Sequence, residues 1–226
     1  MTQEPRIFLG LGECMVELAP TPDGTLQQGF AGDVFNTLWY AAQTLGPGWA
    51  VRFQTALGAD ALSDELVRFA QDAGIDCSTV PRLAGAMPGL YMIRLKDGER
   101  SFLYWRGQSA ARRMMENAGL VAAQMAGAGV VYLSGITLAI LPPDARAALT
   151  GMMAQARAGG ALIVFDPNIR PALWDSPDIM RRALTDAASA ATLVLPSFDD
   201  EASAFGDASP AQTAARYHSG GASIVV

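Results

Sequence analysis

Short runs of consecutive apolar residues recur along the chain at 7–11, 51–56, 130–133, 161–165, 192–195 and 223–226. Such runs, rich in Val, Ile, Leu and Phe and without polar alternation, predict strands buried on both faces. Between them lie segments of helical period, at 34–45, 63–73, 144–158, 178–190 and 210–218, with apolar residues at three- and four-residue steps and much Ala, Leu, Arg and Gln. Strand followed by helix, repeated, predicts an α/β fold built on a mostly parallel sheet with helices on both faces. Gly46, Gly74 and Gly159 stand just past three of the helical runs, where a left-handed terminator belongs.

One region breaks the rhythm. From 89 to 106 polar and apolar residues alternate about Lys96-Asp97-Gly98-Glu99, and Asp-Gly at the centre of such a pattern predicts a two-residue β-hairpin turn. That register sets Tyr91 opposite Tyr104 and Ile93 opposite Phe102, with Arg106 on the same face as both tyrosines. The hairpin, together with 13–30, is expected to form a small β lid on one edge of the main sheet.

The chain has 226 residues, enough for one large domain with a substantial core. Half of the residues are hydrophobic, and the formal charge is −6, which gives it no electrostatic reason to bind nucleic acid or an anionic membrane. Small molecules are the expected partners. The apolar stretch 130–141 is broken by Ser134, Gly135 and Thr137 and falls short of the roughly 20 residues of a spanning helix. The run 7–11 is too short for an export signal, and two cysteines make no disulfide framework, so a cytoplasmic protein is expected.

Several familiar sites are excluded. Gly10-Leu11-Gly12 lacks the third glycine of a dinucleotide fingerprint, the single lysine Lys96 sits in the hairpin turn and makes no phosphate loop, and the single histidine His218 has no nucleophile near it in sequence. Three other segments carry chemistry. Ala31-Gly32-Asp33-Val34-Phe35-Asn36-Thr37 runs small residues into a helix start, which exposes backbone N–H groups to a ligand and reads equally as an ordinary helix capped by Asp33. Tyr91, Tyr104 and Arg106 share a hairpin face, as a carboxylate clasp of two phenols and a guanidinium or as a packing ladder. Asp166-Pro167-Asn168-Ile169-Arg170-Pro171 follows a buried strand, at the end where open α/β sheets bind ligands. Asp199-Asp200-Glu201 is a second acidic loop of that kind, fit for a magnesium ion or for the first turn of a helix.

These segments, in order and at matching spacing, resemble the ribokinase-like (PfkB) carbohydrate kinases: Gly12-Glu13-Cys14-Met15-Val16-Glu17, Gly32-Asp33 to Asn36-Thr37, Thr55-Ala56-Leu57-Gly58 with Asp60, Pro88-Gly89-Leu90-Tyr91, Tyr104-Trp105-Arg106, Leu133-Ser134-Gly135-Ile136, Asp166 to Arg170 and Asp199-Asp200-Glu201. Tyr91 with Tyr104-Trp105-Arg106 is similar to the keto-deoxygluconate branch. The resemblance implies a single ribokinase-like domain over 1–226 and transfer of the γ-phosphoryl of ATP to the 6-hydroxyl of 2-keto-3-deoxygluconate. It implies a sugar-acid pocket of Glu17, Gly32, Asp33, Val34, Phe35, Asn36, Tyr91, Tyr104, Trp105, Arg106 and Arg170. Asn168, Ile169 and Arg170 would border the ATP phosphates and Glu201 would lie near Mg2+, although Phe198 replaces the asparagine that usually precedes that glutamate. Ala31 likewise replaces a glycine.

The family's Gly-Ala-Gly-Asp loop, which carries the catalytic aspartate, does not occur among these residues. A C-terminal truncation without turnover is therefore expected, with the aspartate beyond Val226. A homodimer through the lid is expected as well, since an apolar sheet face needs cover. Two alternatives stand beside the kinase: a sugar-acid-binding or subunit-contact module, and a related fructose or nucleoside kinase.

Overall fold

The computed structural model describes residues 4–96 and 99–226. Its secondary structure begins with β1 (Arg6–Leu11), β2 (Met15–Pro20), β3 (Leu26–Ala31), α1 (Asp33–Thr44), β4 (Trp49–Gln54), β5 (Leu57–Gly58) and α2 (Ala61–Asp72). There follow β6 (Ile75–Asp76), β7 (Arg82–Leu83), β8 (Leu90–Lys96), β9 (Glu99–Trp105), α3 (Ala118–Ala126) and β10 (Val130–Ser134). The last third holds α4 (Gly135–Ile140), α5 (Pro143–Ala158), β11 (Leu162–Asp166), α6 (Pro177–Ala190), β12 (Leu193–Val194), α7 (Phe198–Phe205), α8 (Pro210–Ser219) and β13 (Ile224–Val225).

Seven strands form a parallel sheet in the order β13-β12-β11-β10-β1-β4-β6. Successive side chains of a strand point to opposite faces, and the central strands therefore feed two cores. Leu9, Leu11, Val131, Leu133, Ile163 and Phe165 pack with α3, α5, α6 and α8. Val130, Tyr132 and Val164 turn the other way and meet Val34, Phe35 and Leu38 of α1 and Leu66 and Ala70 of α2. The expected doubly covered parallel sheet is thus present.

The lid is a four-stranded sheet of its own, β3-β2-β8-β9, built from the two segments that the sequence assigns to it. β2 pairs antiparallel with β3 and parallel with β8, so the two chain segments meet at Val16 beside Leu90 and Glu17 beside Tyr91. The hairpin register holds, with Tyr91 opposite Tyr104 and Ile93 opposite Phe102. The Asp97-Gly98 turn lies outside the described residues. Of the three terminator glycines, only Gly74 is left-handed, at φ 80°. After α5 the left-handed residue is Gly160, one past Gly159, and α1 closes on an extended Leu45 without one.

Two helices go beyond the sequence reading. α4 is buried at Gly135, Thr137, Leu138, Ala139 and Ile140, so it shows no amphipathic period. α3, with a 3-10 segment Ala110–Asn117 before it, fills the gap between the lid and β10.

Candidate active site

A pocket of about 260 Å³ opens where the ends of β1, β10 and β11 meet the lid. Glu13, Gly32, Asp33, Asn36, Asn168 and Arg170 line it from the body, and Met15, Tyr91, Phe102, Tyr104 and Arg106 from the lid. Carboxyl ends of parallel strands converge here, the position at which such sheets bind ligands.

α1 aims its N-terminus at this pocket. Gly32 precedes the helix in extended conformation, and a Cβ there would stand 2.2 Å from the carbonyl oxygen of Glu13, so only glycine permits the approach. Asp33 is the first helical residue and does not cap, contrary to the ordinary-cap reading. Its Oδ2 instead accepts hydrogen bonds from Ser134 Oγ at 2.5 Å and Asn168 Nδ2 at 2.9 Å. One carboxylate thereby ties α1 to the ends of β10 and β11.

The loop after β11 is held in an uncommon backbone state. Asn168 has φ 34°, a left-handed conformation that asparagine tolerates better than most side chains. Its amide N–H donates to Asp166 Oδ1 at 2.9 Å, closing an Asx turn. Burial raises the pKa of Asp166, and the nearby Asp33 carboxylate pushes in the same direction. Arg170 extends into the pocket from the same loop, with Nη1 donating to the Ile169 carbonyl at 2.7 Å and pairing with Asp200 at 3.3 Å.

On the lid, Tyr91 and Tyr104 lie with ring centroids 5.9 Å apart, and the Arg106 guanidinium stands 6.0 Å from the Tyr104 ring. The Tyr91 hydroxyl donates to Glu17, and burial with that hydrogen bond raises its pKa. Glu17 therefore acts on the pocket through Tyr91 and does not line it.

The largest departure concerns Arg106. Its Nη2 lies 2.5 Å from Oε2 of Glu13, and the two side chains are 10% and 1% exposed. Glu13 stands two residues past the end of β1, and burial raises its pKa against the opposing pull of Arg106. Spacing alone does not mark Glu13 as a site residue. Its sequence signal is its place in Gly12-Glu13-Cys14-Met15-Val16-Glu17, a carboxylate between a glycine and an apolar run.

Other expected residues fall elsewhere. Val34 and Phe35 are core residues on the buried face of α1. Trp105 alternates with Tyr104 along β9, so it faces away from the pocket and is 57% exposed. Ile169 is buried in the larger core. Glu201 is fully buried, with Oε2 taken by Arg216 at 2.6 Å and Oε1 accepting from Tyr217 at 2.8 Å. Arg216 also pairs with Asp207 at 2.7 Å, so Glu201 belongs to a network joining α7 to α8. With both of its oxygens engaged, Glu201 does not fit a magnesium ligand in this arrangement.

Similarity to known proteins extends over nearly all of the chain. The profile of the pfkB family carbohydrate kinases matches residues 9–226. The 2-dehydro-3-deoxygluconokinase of Dickeya dadantii is 37% identical over 220 residues, covering 96% of this chain and 71% of its own. That of Escherichia coli K12 is 34% identical with the same coverage. Among solved structures, a PfkB protein from Polaromonas sp. JS666 superimposes with a TM-score of 0.84 at 30% identity, over 98% of this chain and 76% of that one. A fructokinase with bound ATP from Xylella fastidiosa gives 0.79 at 24% identity, over 97% and 68%.

Proposed function

Since the chain belongs to the pfkB family of carbohydrate kinases, we propose that its pocket binds the six-carbon sugar acid 2-keto-3-deoxygluconate as phosphoryl acceptor from ATP. The observation that carries this reading is the facing of Tyr91, Tyr104 and Arg106 of the lid with Asp33, Asn36, Asn168 and Arg170 of the body across one small pocket. Hydroxyl groups of the ligand suit Asp33, Asn36 and the N-terminus of α1, which offer acceptors and donors together. A carboxylate suits Arg106, whose planar fork takes two oxygens at once. On this reading the lid holds the acid end, and the 6-hydroxyl points toward the Asn168 and Arg170 loop, where the nucleotide phosphates approach. Magnesium would arrive with the nucleotide. The work of these residues is to bind and orient the acceptor, which is the larger part of catalysis in phosphoryl transfer.

Calorimetric titration of the 226-residue chain with 2-keto-3-deoxygluconate and with fructose tests this. One charge-assisted hydrogen bond is worth about 1.5–3 kcal/mol, or roughly 10- to 100-fold, and the acid is expected to bind tighter by that factor. Equal affinities would overturn the reading. The Gly-Ala-Gly-Asp loop is not among these residues, and binding without turnover is the expectation for them by themselves. One observation favours a neutral ketose instead: Glu13 already neutralises Arg106. The same titration separates the two substrates.

A further inference from the structure

The Glu13–Arg106 pair poses a problem of charge. Glu13 is 2% exposed, and Arg106 is the cation against it. Despite the close approach of Arg106 Nη2, neither oxygen of Glu13 makes a well-formed hydrogen bond, and Arg106 Nε and Ser109 Oγ beside them are also buried without partners. Gly89 closes the space from the lid: a Cβ there would lie 2.8 Å from Glu13 Oε1 and 3.2 Å from Arg106 Cβ. The pair is therefore dry, tightly enclosed and incompletely satisfied, while both of its members line the ligand pocket.

Other charges around it offer no relief. Asp33 from α1 acts on Glu13 with like charge, the neighbouring Cys14 is a buried thiol, and Ser109 brings a neutral hydroxyl that favours the charged carboxylate without supplying a counter-charge. Tyr91 and Tyr104 contribute phenols, and Arg170 is shared with Asp200. A ligand carboxylate that docks on Arg106 thus places two carboxylates on one buried guanidinium. Like charges sharing a dry site do not both stay ionised, and the cost falls on the group that water cannot reach. Glu13 is that group, since the ligand enters from the open side of the pocket.

We propose that an anionic substrate takes Arg106 over from Glu13, and that Glu13 binds one proton from solvent as the ligand docks. The inference rests on the sugar-acid reading above and deepens it. The balance is simple: the ligand brings one negative charge, a buffer acid gives up one proton, and that proton rests on a Glu13 oxygen, so the pocket's net charge is unchanged. Protonated Glu13 also becomes a donor, and the neighbouring Ser109 hydroxyl is able to accept from it. Glu13 is thereby a specificity residue: in its charged form it disfavours an acid, in its neutral form it yields Arg106 to one.

The test is calorimetry of the chain with 2-keto-3-deoxygluconate at pH 7 in buffers of differing ionisation enthalpy. The expected result is an observed heat that varies with buffer in the sense of proton uptake, toward one proton per site, and an affinity that weakens on raising the pH, by at most about tenfold per unit. Fructose, as the uncharged control, should show neither. Glu13→Gln should bind the acid without proton uptake and without this pH dependence, and the wild-type heats decide the matter even where that variant folds poorly. Acid binding with buffer-independent heats would overturn this inference and leave the sugar-acid reading intact. Absence of any preference for the acid over fructose would overturn both.

Discussion

Removing Arg106 isolates the energetics of the dry ion pair. Arg106→Ala leaves Glu13, whose side chain is 1% exposed in the intact pair, without its cation. Breaking a buried pair from one side costs about 3–5 kcal/mol, and for a chain of this size each kcal/mol shifts Tm by about 2–4 °C, so a fall of roughly 6–20 °C is expected. Adding Glu13→Gln to that background removes the stranded charge and should return about 0.5–3 kcal/mol. The pH dependence has a definite sign. Burial raises the folded-state pKa of Glu13 above the ordinary carboxyl value of about 4.3. Its contribution to stability is full below that ordinary value and is lost as pH rises through the folded value. Loss of Arg106 raises the folded value further, so variant and wild type draw together as pH falls toward about 4 and diverge toward neutrality. Urea unfolding at several pH values measures this. A cost under about 1 kcal/mol at pH 7, or a gap that widens on acidification, would refute the account.

Substitutions at four further positions probe other parts of the molecule. Tyr217→Phe strips the donor from Oε1 of the fully buried Glu201 and should cost about 1–3 kcal/mol in chemical denaturation; no cost would mean that Arg216 alone suffices. Asn168→Ala loses the bond to Asp33 and puts a Cβ residue at φ 34°, whereas Asn168→Gly loses only the bond, so the glycine variant should be the more stable by about 1–2 kcal/mol while both weaken ligand binding. Gly135→Ala sets a Cβ 2.0 Å from the Pro167 carbonyl oxygen, which forces the β11 loop to move at about 1–3 kcal/mol; wild-type Tm and ligand affinity would contradict that. For the lid, Trp105 and Leu103 are 57% and 42% exposed on the face away from the pocket, and a homodimer through that face predicts that Trp105→Glu gives monomers in sedimentation where wild type gives dimers.

What the sequence reveals follows from how local each signal is. Strands such as β10 and β11 are readable because both faces are buried and every residue must be apolar, which leaves a run that nothing else produces. The hairpin register is equally local, expected from Asp97-Gly98 in the sequence and matched by the pairing of β8 with β9. α4 escaped because a helix buried all round has no polar face to mark its period, and its residues merged with the apolar run of β10. The site divides along the same line. Asp33, Asn36, Tyr91, Tyr104, Arg106, Asn168 and Arg170 announce themselves as polar groups at strand and helix ends, and the pocket does unite them. The partner each one takes is decided by the tertiary fold. Nothing in the neighbourhood of Arg106 in sequence points to Glu13, and nothing near Glu201 shows that Arg216 and Tyr217 will occupy both its oxygens. Trp105 fails for a simpler reason, since strand alternation turns it from its neighbours Tyr104 and Arg106.

The lid's four strands share one geometric property. β2 begins at Met15, β3 ends at Ala31, β8 begins at Leu90 and β9 ends at Trp105, so every crossing between lid and body lies at the rim of the pocket, where Glu13, Met15, Ala31, Gly32 and Arg106 also line its wall. The lid is in effect a lever whose fulcrum is the binding site. Its far end, near Lys96 and Glu99, stands six residues from the pivot, roughly 20 Å at about 3.4 Å per residue. A pivot rotation of about 10° then sweeps the tip through roughly 3–4 Å, while atoms a few ångströms from the axis move by well under one. Sub-ångström adjustments of the Glu13–Arg106 contact are magnified several-fold at the tip, so a ligand that bridges the crossings sets the angle of the whole arm from its pivot.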